Sequence, residues 1–510
     1  MGSVHHPIRT RSPDAQRAFD HGLAALYGFN YDVAMRGFGL AYDNDPDCAM
    51  CVWGFALAVG PNINERMKVF PMARHMAVMA AKLAQDGPPV EQALTKALLA
   101  RYGEDFTKHP GDRDALDRAY ADAMRAAASR FPDDDDLQVL LVEALYITVP
   151  LGTPNWPAGA PASPVVLEQR AILEKVLARA PDHIGAIHFY IHLMEGAPDQ
   201  ERALAPAERL IALAPRAGHL IHMASHLYMR MGRYADATRV NRLAIAADDA
   251  WLAEQLPGTM YEGFAGHPWH FLWATLLFEG ASAEAEEARI EHLHRMHASP
   301  FHALDPMGMD MPAAQEAIEA ARFGRWDKAL ALPDPTGPQG GIAVPYARGL
   351  ARLAHGELDA ATAQLAPLRS VRTLTNEQMP ARVREELEKI GNAAAFQLEG
   401  AIAVARGDRD AGIVLLQRAI EVEDTIEFGE PPFWILPARQ RLGAVLLAAG
   451  RAADAEAVYR ADLAARPENG WSLHGLAAAL DAQKKPSGDV KARFAKTWAR
   501  ADVTLTSSVF

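Results

Sequence analysis

An all-α solenoid of helix–turn–helix repeats is the fold class this sequence predicts. Apolar residues recur every three to four positions along most of the chain, the spacing of one helix face. Short turns centred on glycine separate these stretches, and alanine is dense in the second member of each pair. The period-two alternation of a half-buried strand is scarce. Half of the 510 residues are apolar and 23% are charged, a globular composition able to bury a long core.

The elements follow in chain order. Gly22, Ala34, Phe38, Ala41 and Pro46 mark a first hairpin. Cys48 and Cys51 lie in an apolar helical stretch with no second pair, so they read as two small core residues one turn apart. From about 65 to 148 the periodicity is helical but the repeat frame is poor, and Asp133–Asp136 reads as a solvated cap at a helix start. Pro150–Pro164, which carries Asn155 and Trp156, reads as a loop over a groove, and Leu332–Pro345 as a hinge. Gly349, Gly356 and Ala361, then Gly400, Gly407 and Ala419, continue the frame; Trp471, Gly475 and the Lys-rich Asp489–Arg500 close it. The expected division is a helical region 1–148 with one repeat, an insertion 149–164, histidine-bearing repeats 165–330, a linker 331–345 and further repeats with capping helices 346–510.

The frame is clearest in Arg439–Pro467. Gly443 and Ala444 belong to a first helix, Gly450 to the turn, Ala455, Tyr459 and Leu463 to the stripe of a second helix, and Pro467 ends it. These offsets resemble the tetratricopeptide repeat (TPR), a helix–turn–helix unit of about 34 residues. The resemblance implies a curved superhelix whose first helices line a concave groove through positions 2, 5, 9 and 12 of each repeat. More narrowly, Gly60–Asn64, His219–Tyr234 and Glu430-Pro431-Pro432-x-Trp434 resemble a histidine-rich group of bacterial TPR-domain proteins.

Seven histidines carry the chemical reading: His188, His192, His219, His222, His226, His267 and His270. Steps of three and four residues place imidazoles on one helix face. In the repeat frame His188, His222 and His270 occupy position 5, His219 and His267 position 2, and His192 and His226 position 9. Repeated imidazoles on a shared face repel when protonated but suit a transition metal. Seven exceed one tetrahedral site, so two ions are expected. Imidazole donors suit copper, zinc, iron and nickel; copper is favoured, with zinc or iron as alternatives.

Glu195, one turn beyond His192, is expected as a carboxylate ligand or general base, Arg230 as a partner for an anionic substrate, and Glu430 as a group facing the groove. Asn241 stands where a bulky residue is usual, either orienting a histidine or satisfied within the packing. His183 is expected to cap a helix or edge the site. Tyr190, Tyr228 and Tyr261 read as core aromatics. His292, His294 and His297 read as surface, and His75, His109, His302, His355 and His474 as scattered. His5 and His6 fall in a frayed start and receive no role.

A net charge of −13 argues against nucleic acid. No run approaches a membrane span, and the absence of an apolar leader pattern points to a cytoplasmic protein. No phosphate loop, H-E-x-x-H or Gly-x-Ser-x-Gly is present. Two functions follow. One is a metal-dependent enzyme, a (di)copper oxidoreductase acting on a small molecule, with a zinc-dependent hydrolase as its variant. The other is a scaffold that binds a peptide or protein partner.

Overall fold

A computed structural model describes the chain apart from Met1, Ser3 and residues 64–70, 103–112, 151–152, 158–159, 256–258, 260, 299–309, 376–378 and 428. Asn64, His109 and His302 of the sequence reading lie outside the described residues. Every regular element among the described residues is a helix, and none is long and apolar enough to cross a membrane. The chain divides into two compact units: 1–227 with 243–261, and 228–242 with 262–510.

In the first unit, successive helices pack on one another from Pro13–Tyr27 through Tyr31–Asn44, Ala49–Ala58 and onward to Ile184–Met194 and Leu204–Leu213. Ser12 and Asn30 cap the first two helices by accepting from backbone N–H groups, replacing bonds a helix start lacks. These helices cross where both lack a side chain: a Cβ on Gly37 would stand 2.7 Å from the Gly22 Cα. The buried Phe38 ring fills the adjoining space against Gly22 and Gly54. Pro13–Tyr27 also packs on Ile184–Met194. That contact brings the end of the first helix onto the histidine-bearing one.

In the second unit, Met311–Arg322, Pro338–Ala354, Ala381–Ala405, Arg409–Glu423, Ala438–Ala448, Ala452–Ala465, Gly470–Ala482 and Gly488–Thr497 pack in succession. Bulky side chains seat on helix glycines. Leu398 seats on Gly349, Leu416 on Gly400, and Tyr459 on both Gly443 and Gly475. A glycine in one helix thus admits the bulky residue of the next. Each fully buried large side chain contributes roughly 1.5–3 kcal/mol. The turn glycines Gly232, Gly280, Gly356, Gly407 and Gly450 all have positive φ, which a helix C-terminus favours in glycine.

Four expectations need correction. Cys48 and Cys51 form a disulfide. Cys48 is the extended N-cap of Ala49–Ala58, so its side chain folds back over the first turn toward Cys51. Both are buried, and a bridge over one turn does not build the scaffold. The 332–345 segment is loop only to Gly337; Pro338–Ala354 is helical, with Pro345 inside it. Within Asp133–Asp136, Asp134 is the cap, but Asp136 is not a solvated group. It accepts from the Tyr27 hydroxyl at 2.7 Å and meets His6 Nδ1 at 3.0 Å and His183 Nε2 at 3.2 Å. His6 is therefore not frayed but buried. Burial would raise the Asp136 pKa, yet the hydrogen bonds from His183 and His6 hold it well below the usual carboxylate range.

Candidate metal centre

The centre is assembled in the first unit by Ile184–Met194, Gly218–His222 and the start of Ala224–Arg230. His183 caps Ile184–Met194 by accepting from Ala186 N–H, as expected of it. The helix reaches Tyr27 because residue 185 is glycine: a Cβ there would stand 2.6 Å from the Tyr27 ring. This approach puts the Tyr27 carbonyl 2.5 Å from His188 Nδ1. A carbonyl only accepts, so His188 Nδ1 carries the proton and Nε2 presents its lone pair.

That Nε2 lies 3.1 Å from His219 Nε2. His192 joins them: one ring nitrogen from each of His188, His192 and His219 lies within 4.8 Å of the others. The second pair repeats the logic. His226 Nδ1 is 2.8 Å from the buried Glu195 carboxylate, which fixes Nε2 as the outward nitrogen. His226 Nε2 then meets His222 Nε2 at 2.9 Å, and Ser225 Oγ lies 3.1 Å from His222 Nδ1.

Such separations suit an N–H···N hydrogen bond. They also suit two ligands of one ion, since nitrogens about 2.0–2.1 Å from a tetrahedral metal stand about 3.4 Å apart. A metal-ligating Nε2 usually belongs to an imidazole whose Nδ1–H is anchored on a carbonyl or a carboxylate. His188, His222 and His226 are fully buried and His219 nearly so. Burial pulls the His188 pKa down to about 4, against the Tyr27 carbonyl and helped by His226, so the ring is neutral and able to ligate.

Phe29 covers the trio. Its ring centroid is 4.3 Å from that of His188, 5.4 Å from His219 and 5.8 Å from His192. It has φ 56, an unusual backbone for a bulky residue, at the turn between the first two helices. Beneath His219, the Tyr261 hydroxyl accepts its backbone N–H at 3.4 Å and donates to Asp248 at 2.9 Å. From the 150–164 loop, Asn155 and Trp156 donate to the His192 and Leu193 carbonyls at 3.2 and 2.5 Å. They close the end of Ile184–Met194.

The structure therefore gathers His188, His192, His219, His222 and His226 in the first unit, with Glu195 positioning His226. Reasoning from sequence missed Phe29, Tyr27, Ser225 and Asp248, and read Tyr261 only as core. Their residue types are ordinary, and only the fold brings them near the imidazoles. Gly185, beside the histidine run, was the available signal of a close approach.

His267, His270, Arg230, Asn241 and Glu430 belong to the second unit. Asn241 is fully buried and Glu430 exposed. His292 corrects its surface assignment. It is buried, its ring stacks on His270 with centroids 4.5 Å apart, and Nδ1 is 3.2 Å from Gln315 Oε1. The helix Ser282–Ala298 turns this position inward, while His294 stays exposed. Burial lowers the His292 pKa to about 4. It drives His270 well below its ordinary value, with His292 and His267 adding to the effect.

No family model matches the chain, and no curated protein matches it. Among solved structures it is similar to yeast Tom70, at 11% identity and TM-score 0.30 over 93% of this chain and 90% of that one. It is similar to the human IFIT1 dimer with m7Gppp-AAAA, at 11% identity and TM-score 0.35 over 97% and 96%. It is also similar to the APC/C hetero-tetramer Cut9-Hcn1, at 12% identity and TM-score 0.29 over 97% and 95%. The chain's own hairpins, with glycine turns and bulky residues seated on the glycines of neighbouring helices, make it an all-α protein of packed helical hairpins.

Proposed function

We propose that the first unit is a transition-metal centre and that the protein is a metal-dependent oxidoreductase acting on a small molecule. The observation that carries this reading is the paired approach of Nε2 atoms, each pair containing an imidazole whose Nδ1 is anchored. His188, His192 and His219 would hold one ion. His222 and His226 would contribute to a second, with Glu195 fixing the His226 ring. All-imidazole donors favour copper, with zinc and iron as alternatives. Copper, when bound, supplies one-electron chemistry toward dioxygen or a reducing substrate.

The surrounding residues supply the setting. The Tyr27 carbonyl and Glu195 hold two rings in the ligating tautomer, and burial keeps His188 uncharged. Phe29 limits water at the trio. A zinc-dependent hydrolase is the variant reading of the same donors. Metal analysis of protein purified without chelator tests the proposal. Wild type is expected to carry copper or another transition metal at one to two ions per chain, with His188→Ala and His222→Ala each losing occupancy. Metal-free protein that takes up neither copper nor zinc would remove it.

The second reading is a partner-binding scaffold, favoured by a cleft of about 410 Å³ in the first unit. Trp251, Arg36 and Arg216 line it, and the exposed Leu40 flanks it. It predicts full function in chelated protein and a peptide or protein ligand lost on Trp251→Ala.

A further inference from the structure

The second unit holds a pair of arginines that none of the readings above uses. Arg322 ends Met311–Arg322 and is only 4% exposed. Arg441 lies on Ala438–Ala448. Both line a cavity of about 20 Å³, room for one or two water-sized groups. Neither guanidinium forms an ion pair among the described residues. The Nε–H of each is buried and makes no hydrogen bond.

Two buried carboxylates stand close, and each is screened by a glutamine. Arg322 Nη1 donates to Gln440 Oε1 at 2.7 Å, while Gln440 Nε2 donates to Asp462 at 3.2 Å. Asp462 is further occupied by Arg466 at 3.0 Å, Ser472 at 2.6 Å and Asn469 at 3.3 Å. On the other side, Tyr346 donates to Gln397 Oε1 at 2.9 Å and Gln397 Nε2 donates to Glu423 at 2.7 Å. Glu423 is filled by the Ala438 N–H and the Trp434 indole. Arg322 also donates to the Ile435 carbonyl and lies 4.7 Å over the Trp471 ring. These contacts orient the guanidinium without neutralising it.

A buried guanidinium is costly unless an anion meets it, and its planar fork is built for oxyanions. We propose that this cavity binds a small oxyanion, a carboxylate or phosphate group, through the Nε–H groups of Arg322 and Arg441. The glutamines keep internal carboxylates from taking that place. Trp471 supports the Arg322 plane from one face. Burial lowers the Arg322 pKa to about 9, so it remains cationic at neutral pH.

Calorimetric titration of the full chain with inorganic phosphate, and separately with acetate, in a low-salt buffer tests the proposal. Saturable binding of one phosphate or acetate per chain is expected, and which of the two binds tells phosphate from carboxylate. Arg441→Gln is expected to weaken that binding about ten-fold or more. Arg441 is chosen because it is less buried than Arg322. The thermal midpoint of wild type is expected to rise saturably with the same oxyanion and not with chloride at equal ionic strength. Three results overturn the proposal: no saturable binding of either oxyanion, equal affinity in Arg441→Gln, or an equal response to chloride.

Discussion

Glu195→Gln isolates the anchoring of the candidate centre from its ligands. The carboxylate accepts from His226 Nδ1 at 2.8 Å, and both side chains are almost wholly buried. The amide keeps the shape but removes the charge. It also offers an NH₂ group that can turn toward Nδ1 and favour the opposite tautomer, with the proton on Nε2. Changes to such outer partners lower metal affinity about 10–100-fold, or about 1.4–2.8 kcal/mol. Removing the anion also leaves a less basic imidazole, which acts in the same direction. The assay is competition titration of copper and zinc against a chromophoric chelator, with circular dichroism to confirm the fold. Glu195→Gln is expected to weaken one class of site and leave the His188–His192–His219 class within about two-fold. His294→Ala, at an exposed position, serves as a neutral control. An affinity unchanged in Glu195→Gln, or lost equally in both classes, would refute the anchoring argument.

Three further outcomes follow from packing and titration. Gly185→Ala places a methyl 2.6 Å from the Tyr27 ring; it is expected to cost about 1–3 kcal/mol and to lower metal affinity by shifting His188. By contrast Gly39→Ala, whose added Cβ meets nothing within 4 Å, is expected to gain about 0.5–1 kcal/mol, both read from urea unfolding. Burial raises the Glu423 pKa from 4.5 to about 7, against the Arg466 charge and the hydrogen bonds from Ala438 and Trp434. The folded state thus holds this proton more tightly than the unfolded chain. Stability falls as pH rises between those values, by about 3 kcal/mol at most. Urea midpoints at pH 5 and pH 8 should differ less in Glu423→Gln than in wild type, and an unchanged pH dependence would exclude Glu423 as its source.

Much of the architecture was legible because its determinants are local. A turn glycine such as Gly407 or Gly450 announces itself by type and spacing, and Gly443 facing Tyr459 follows from the repeat frame. The histidine spacing likewise put His188 and His192, and His222 and His226, on shared helix faces. What the sequence hid depends on contacts between distant segments. Tyr27 meets His188 across 161 positions and His6 meets Asp136 across 130. His292 misled because it lies on the second helix of a repeat, which the repeat frame turns outward, until the packing of Ser282–Ala298 is known. The cysteines misled because the N-cap conformation of Cys48, not its spacing alone, swings one sulfur toward the other.

The double seat of Tyr459 has a consequence for how the second unit comes apart. One ring occupies the hollows of Gly443 and Gly475, on the helices before and after its own. Its hydroxyl meets Ser508, which in turn donates to the Gln440 carbonyl. Loosening Gly470–Ala482 would therefore uncover a flank of the ring that Ala438–Ala448 cannot shield by itself. Melting begun at one hairpin should spread to its neighbour rather than stop at the turn, and amide exchange across these three helices should slow or quicken together.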